Sequence, residues 1–139
     1  MGQKIAITGM GIISAIGNNV EENLSSLTSG KHGISDITLF ETRHKGNIKT
    51  GEIKLSNEEL AAKLQLKEDH HATRTALLGM MAAKEAVESA GISDINEYKT
   101  GLISSTSVGG MDVTEKYFYS YEDFPEKQKY IDAHDAGNS

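Results

Sequence analysis

Lys4-Ile5-Ala6-Ile7-Thr8-Gly9-Met10-Gly11-Ile12-Ile13-Ser14-Ala15-Ile16-Gly17-Asn18 decides how the rest of this chain is read. Lys4 to Thr8 is short, rich in Ile and bounded by Gly9, which reads as a buried strand. Thr8-Gly9-Met10-Gly11 then turns the chain, and residues 12–17 form an apolar loop. Asn19 is placed to cap a helix from Val20 to Ser29, with Val20, Leu24 and Leu27 on one face and Gly30 at its end. From Lys31 to Lys54 no helical period survives, and Asn47 to Lys54 reads as an edge strand. Ser56-Asn57-Glu58-Glu59 has the spacing of a capping box and opens a short helix to about Leu66. A longer helix follows from about Thr73 to Ala90, with Leu77, Met80, Met81, Lys84, Val87 and Ala90 three or four apart and Gly91 as its stop. Thr100 to Ser105 reads as a second buried strand, ended by Gly109-Gly110. Helical stretches are expected from Met111 to Tyr121 and from Glu126 to Ile131, separated by Phe124-Pro125.

Strands alternating with helices across long crossovers imply an α/β layer fold with parallel strands. Two strands make a poor sheet, so residues 1–139 are expected to be part of a domain, with no second domain. Composition agrees with a soluble globular chain: of 139 residues, 37% are hydrophobic and 24% charged. No apolar run approaches the roughly 20 residues that a spanning helix needs. The start has neither the pattern of a secretory signal nor, with Ala6, that of a myristoylation site. A cytoplasmic location is expected. The net charge of −6 disfavours nucleic acid, whose phosphates call for clustered Lys and Arg. With no cysteine, the chain has no disulfide, thiolate metal site or cysteine nucleophile of its own.

Gly9 and Gly11 fit the first two glycines of a dinucleotide loop, but Ser14 stands at the third position and the helix opens late, near Val20. Close packing of the loop is the competing reading, and a nucleotide-binding oxidoreductase is the remote one. His70 and His71 are adjacent, pointing about 100° apart on a helix, which does not suit a shared metal ion. His32 and His44 are isolated, and His134-Asp135 is adjacent without implied contact. All five histidines read as solvated or hydrogen-bonded, and no metal or other cofactor is expected. Ser104-Ser105-Thr106-Ser107-Val108-Gly109-Gly110 reads as a loop lining a pocket, because it lacks the Gly-x-Ser-x-Gly elbow of a serine nucleophile. Tyr117, Tyr119, Tyr121 and Tyr130, with Phe118 and Phe124, form an aromatic cluster late in the chain.

The opening stretch resembles the start of the β-ketoacyl-acyl-carrier-protein synthases, a strand followed by Thr-Gly-x-Gly, two apolar residues and Ser-Pro-x-Gly, with Ala15 here in place of the proline. Further pieces follow in the family's order. Leu27-x-x-Gly30-Lys31-x-Gly33-Ile34 is similar to Leu-x-x-Gly-x-Ser-Gly-Ile, Phe40 follows, and Gly51-Glu52-Ile53 matches a Gly-x-Val strand. Ala82 to Gly91 matches the long helix, and Ser105 to Gly110 resembles Gly-Ser-Gly-Ile-Gly-Gly. The resemblance runs along essentially the whole chain. It implies a thiolase-like fold, here an incomplete N-terminal half with a mixed or parallel sheet and helices on both faces. The activity implied is 3-oxoacyl-acyl-carrier-protein synthase, an acyltransferase that condenses an acyl thioester with a malonyl carrier thioester in fatty-acid or polyketide-type biosynthesis.

Within that resemblance the catalytic cysteine and two histidines fall after Ser139, so no catalytic residue lies in this chain and it is expected to be inactive alone. An unpaired strand edge is expected to make it insoluble, swapped or tightly assembled. Val108 matches an apolar gate, with Ser107 and Gly109 beside it as acyl-pocket residues. Lys67, His70, His71 and Arg74 fall at a basic patch for the acyl carrier protein. Residues 111–139 match a segment at the dimer contact and acyl pocket, where Asp132, His134 and Asp135 are polar departures. The implied partners are the carrier protein and a second synthase subunit, in a homodimer or heterodimer, with neither nucleic acid nor membrane. A non-catalytic chain-length-factor-like subunit and a secondary-metabolite synthase remain alternatives.

Overall fold

A computed structural model describes residues 4–115 and Phe118. The elements run α1 (Val20–Thr28), β1 (Ile34–Asp36), β2 (Lys49–Gly51), α2 (Asn57–Leu64) and α3 (Arg74–Ser89), followed by a helical turn at 111–115. Each helix starts where a side chain can satisfy a free amide of the first turn. Asn19 accepts from the Glu22 amide at 2.8 Å. Ser56 and Glu59 form the reciprocal capping box, with the Ser56 amide donating to Glu59 Oε2 at 2.7 Å and the Glu59 amide to Ser56 Oγ at 3.2 Å. Thr73 accepts from the Ala76 amide at 3.3 Å.

The ends obey equally local rules. Helix α3 stops at Gly91, whose φ of +69° is left-handed, and the Ile92 amide donates back to Val87 O. Helix α2 stops at Leu64, two residues short of the expected end. Gln65 itself adopts the left-handed conformation there, with φ +57°, and the Leu66 amide closes the turn onto Ala61 O at 3.0 Å.

The core is small. Leu60, Ala61 and Leu77 are buried between α2 and α3, and Ile13, Leu55, Leu64, Leu66, Met80 and Met81 pack around them. Helix α1 corrects the expected apolar face, since Leu24 and Leu27 are exposed and the buried residues are Asn23 and Ser26. These two face the loop at 13–17, whose backbone groups need partners. Asn23 Nδ2 donates to Gly17 O at 2.9 Å and to Asn19 O at 2.8 Å, and Ser26 Oγ donates to Ile16 O at 2.7 Å. Ser14 Oγ donates to Asn23 Oδ1. Buried backbone has outcompeted apolar side chains for this face.

The expected strands at Lys4–Thr8 and Thr100–Ser105 do not pair with anything among the described residues, and neither forms part of a sheet. Ile7 is 86% exposed and Ile103 fully so. A strand needs a partner's amides and carbonyls, which residue type alone cannot supply. The sheet among the described residues is instead a two-stranded antiparallel ribbon of β1 and β2, with Ile34 opposite Gly51 and Asp36 opposite Lys49. The expected edge strand at Asn47–Lys54 thus contains β2, while the expected parallel sheet is not formed within the described residues. The expected helix at Glu126–Ile131 lies outside them, as does most of the one at Met111–Tyr121.

Segment 9–11 crosses α3 so closely that side chains do not fit. A Cβ at Gly9 would collide with the Ala86 carbonyl and lie 2.7 Å from the Ala90 amide nitrogen. At Gly11 it would collide with the Ala82 carbonyl and lie 2.8 Å from the Ala86 nitrogen. Gly79, on the same helix, has open space around it. Gly11→Ala is therefore expected to destabilise the chain by about 2 kcal/mol or more through overpacking. Gly79→Ala is expected to stabilise it by about 0.5–1 kcal/mol through helix propensity. Urea unfolding of both variants checks this, and equal effects would contradict the close crossing.

Candidate functional site

The glycine loop has used its backbone donors internally. The Met10 amide donates to Ser89 Oγ at 2.9 Å, and the same hydroxyl donates to Met10 O at 3.0 Å. The Ile12 amide donates to Glu85 Oε2 at 2.9 Å and the Val20 amide to Glu85 Oε1 at 2.7 Å. One carboxylate thus pins the loop and the first turn of α1 together. A pyrophosphate would need these amides and would meet the negative charge of Glu85, so this geometry opposes the nucleotide reading.

Lys67, His70, His71 and Arg74 lie between α2 and the first turn of α3, but in different settings. Lys67 and His71 are exposed, whereas His70 and Arg74 are half-buried. The Ala72 amide donates to His70 Nδ1 at 3.2 Å, which fixes that ring nitrogen as an acceptor. The Arg74 guanidinium turns inward, donating to Ile53 O at 2.9 Å, Leu55 O at 3.0 Å and Asn57 Oδ1 at 2.9 Å. It holds the chain entering α2 against the start of α3. Such use of a planar multi-donor fork on backbone oxygens was not legible from the spacing of basic residues.

Ser107 and Val108 are exposed, Gly109 is half-buried and Gly110 is buried with φ +71°. Asp112, just after them, accepts from the Arg74 amide at 3.0 Å. Arg74 and Asp112 both border an open cleft of about 1070 Å³, whose other walls include Leu39, Phe40, Glu52 and Leu78. Ser107, Val108 and Gly109 do not line that cleft. Among the described residues no group of three or more His, Asp or Glu is placed to hold a metal ion. His134 and Asp135, the rest of the late aromatic cluster beyond Phe118, and Asp132 lie outside the described residues.

Glu52, on the cleft wall, is the strongly perturbed acid that sequence reading missed. Burial alone would push its carboxyl up. Hydrogen bonds from Lys54, the Leu39 amide, the Thr38 hydroxyl and the Thr38 amide outweigh burial and hold it at about 2, against an ordinary 4.5. Its partners come from two sides: the Thr38 and Leu39 amides donate at 2.9 and 3.0 Å, while Lys54 also donates to Asp36 O at 2.7 Å. The cluster fastens the segment after β1 to the segment after β2, across from the Lys49–Asp36 ion pair at 2.6 Å.

Comparison with known proteins agrees with the ordered motifs. The family described as "Beta-ketoacyl synthase, N-terminal domain" matches residues 2–136. Similar curated proteins include 3-oxoacyl-(acyl-carrier-protein) synthase 1 of Haemophilus influenzae, 36% identical over 109 residues, 77% of this chain and 26% of that protein. Another is 3-oxoacyl-(acyl-carrier-protein) synthase 2 of Staphylococcus aureus, 33% identical over 116 residues, 81% of this chain and 27% of that protein. The synthase 2 of Synechocystis is 28% identical over 115 residues, again 81% of this chain and 27% of that protein. The chain spans about a quarter of the length of these relatives.

Because the folded Glu52 carboxyl lies below its ordinary value, its bonds contribute stability in full above about pH 4.5. That contribution is lost as the pH falls through about 2. Glu52→Gln is expected to flatten this part of the pH–stability curve. Denaturant unfolding between these pH values measures it, and identical curves for both proteins would contradict the cluster's role.

Proposed function

The chain belongs to the β-ketoacyl synthase N-terminal domain family, and from that premise we propose that it supplies the N-terminal part of a 3-oxoacyl-acyl-carrier-protein synthase. The match over residues 2–136 carries this reading, and the names of the similar proteins support it. The reaction is acyl transfer and condensation. An acyl group moves from a carrier thioester to a cysteine thiolate, releasing the carrier thiol. Loss of carbon dioxide from a malonyl carrier thioester then leaves an enolate, which attacks the acyl-cysteine carbonyl and expels the cysteine thiolate. These 139 residues contain no cysteine, so the nucleophile lies outside them. Two histidines, also from elsewhere, stabilise the developing negative charge.

The fold proposed for residues 1–139 is the corresponding part of a thiolase-like α/β domain. In it Lys4–Thr8 and Thr100–Ser105 are strands that would pair only in the completed domain. Their exposed apolar side chains support this, because such runs favour burial on both faces in a parallel sheet. The proposed active unit is a homodimer or a heterodimer with another synthase subunit, and its location is cytoplasmic. Among the described residues no helix is long and apolar enough to cross a membrane.

Two tasks fall to this chain's own side chains. Ser107, Val108 and Gly109 form part of the acyl-pocket wall, with Val108 as its apolar element. Lys67 presents positive charge, and His70 and His71 hydrogen-bonding groups, to the acidic carrier protein, and Arg74 shapes that patch through the backbone it holds. Attraction of this kind chiefly sets association rate and salt sensitivity.

Binding of an acyl carrier protein to the chain, followed by surface plasmon resonance, tests the assignment. Affinity is expected to fall as salt rises, and Lys67→Glu is expected to weaken it about ten-fold at low ionic strength. Absence of binding would overturn the proposal, and so would binding indifferent to both salt and Lys67.

A further inference from the structure

Helices α1 and α2 each carry two acidic residues in their first turn, Glu21 with Glu22 and Glu58 with Glu59. Helix α3, with 16 residues the longest among the described residues, has none. A helix N-terminus favours negative charge, and its leading amides need acceptors. For α3 the charge comes from a distance, as Asp112 Oδ2 accepts from the Arg74 amide at 3.0 Å across 38 residues. Asp112 sits in the helical turn 111–115, whose start is set by buried Gly110. The left-handed φ of +71° at Gly110 favours glycine, and its carbonyl accepts from the Val113 amide at 3.1 Å and the Thr114 amide at 3.0 Å. Residues 91–108, by contrast, are exposed throughout. The hydrogen bonds of Asp94, Asn96 and Thr100 go to near neighbours along the chain.

The geometry points to Asp112 as a positioning residue that ties the Ser107–Gly109 loop to the segment Lys67–Arg74 through one carboxylate-to-amide bond. Resting on the functional reading above, this makes carrier engagement at 67–74 and acyl-chain recognition at 107–109 mechanically linked. Arg74 is the junction. Its amide meets Asp112, its guanidinium holds the Ile53 and Leu55 carbonyls and Asn57, and its backbone begins α3 directly after the patch. A carrier that shifts 67–74 therefore shifts the acceptor site of Asp112, and with it the turn that anchors the loop. A bond between a carboxylate and a helix-terminal amide is charge-assisted and stronger than a neutral one.

Hydrogen exchange and carrier binding on the wild-type chain, Asp112→Ala and Asp112→Asn decide the matter. Asp112→Ala is expected to speed exchange about ten-fold at the Arg74 amide and also at Val113 and Thr114. Asp112→Asn, which keeps an oxygen acceptor, is expected to recover part of that protection. Asp112→Ala is also expected to weaken an acyl-loaded carrier about ten-fold more than an unloaded carrier. Exchange at the Leu60 and Leu77 amides reports whether a variant has unfolded, in which case Asp112→Asn carries the comparison. Faster exchange at Arg74 alone, with an unchanged ratio of loaded to unloaded affinity, overturns the proposal. A wild-type chain that binds neither carrier overturns the functional reading beneath it, an outcome distinct from carriers that bind with a ratio insensitive to Asp112.

Discussion

The crossing of residues 9–11 over α3 is the contact on which the described structure depends. Ala82, Ala86 and Ala90 recur every four residues, so they form one stripe of low relief along the helix. Gly9 and Gly11 meet that stripe with no side chain of their own, and backbone lies on backbone. Polar groups on α3 then complete the contact. Ser89 exchanges hydrogen bonds with both backbone groups of Met10, and Glu85 takes the amides of Ile12 and Val20. Loop, α1 and α3 are joined at one place, while α2 closes the opposite side through Leu60 and Leu77.

Polar anchoring of this kind explains the unusual face of α1. A helix of nine residues with exposed Leu24 and Leu27 gains little from apolar burial against the rest of the described chain. Its position comes instead from Asn23 and Ser26 satisfying loop carbonyls, and from Glu85 at its N-terminus. The same economy recurs at α3, whose first turn borrows Asp112, and around Arg74, whose guanidinium satisfies two carbonyls before α2. Hydrogen bonds to otherwise stranded backbone fix where elements sit, and a core of few buried residues supplies the cohesion.

The segments at 67–74 and 107–112 follow that division. The surface basic groups Lys67 and His71 stand on the connection between α2 and α3, whose two ends are both held by the core. The Arg74 guanidinium, expected from sequence to be one more cation of a basic patch, turns inward onto the Leu55 carbonyl and Asn57. The Ser107–Gly109 loop is exposed along most of its length and ends at Gly110, which is buried and left-handed. Residues 67–74 and 107–109 are thus far apart in sequence and joined through the Asp112–Arg74 hydrogen bond.

The order of motifs from Lys4 to Gly110 was enough to place the chain in its family, and the bounds of α1, α2 and α3 were legible to within a residue or two. Both follow from local chemistry. An Asn, Ser or Thr oxygen reaches an amide three residues on, and a glycine accepts a left-handed φ, whatever surrounds them. Apart from the close packing expected of the Gly9–Gly11 loop, the interactions between segments remote in sequence stayed hidden. Nothing near Glu52 in the chain announces that the Thr38 and Leu39 amides will hold its charge, and nothing near α3 announces Asp112. The apolar runs at 4–8 and 100–105 show the same limit from the other side, since alternation and β-branching describe a willing strand but not its neighbour. Local chemistry was thus enough for α1, α2 and α3, for their ends and for the family. Tertiary structure decided which polar groups meet, which glycines are indispensable and which face of α1 is buried, because each of those depends on backbone brought close from elsewhere in the chain.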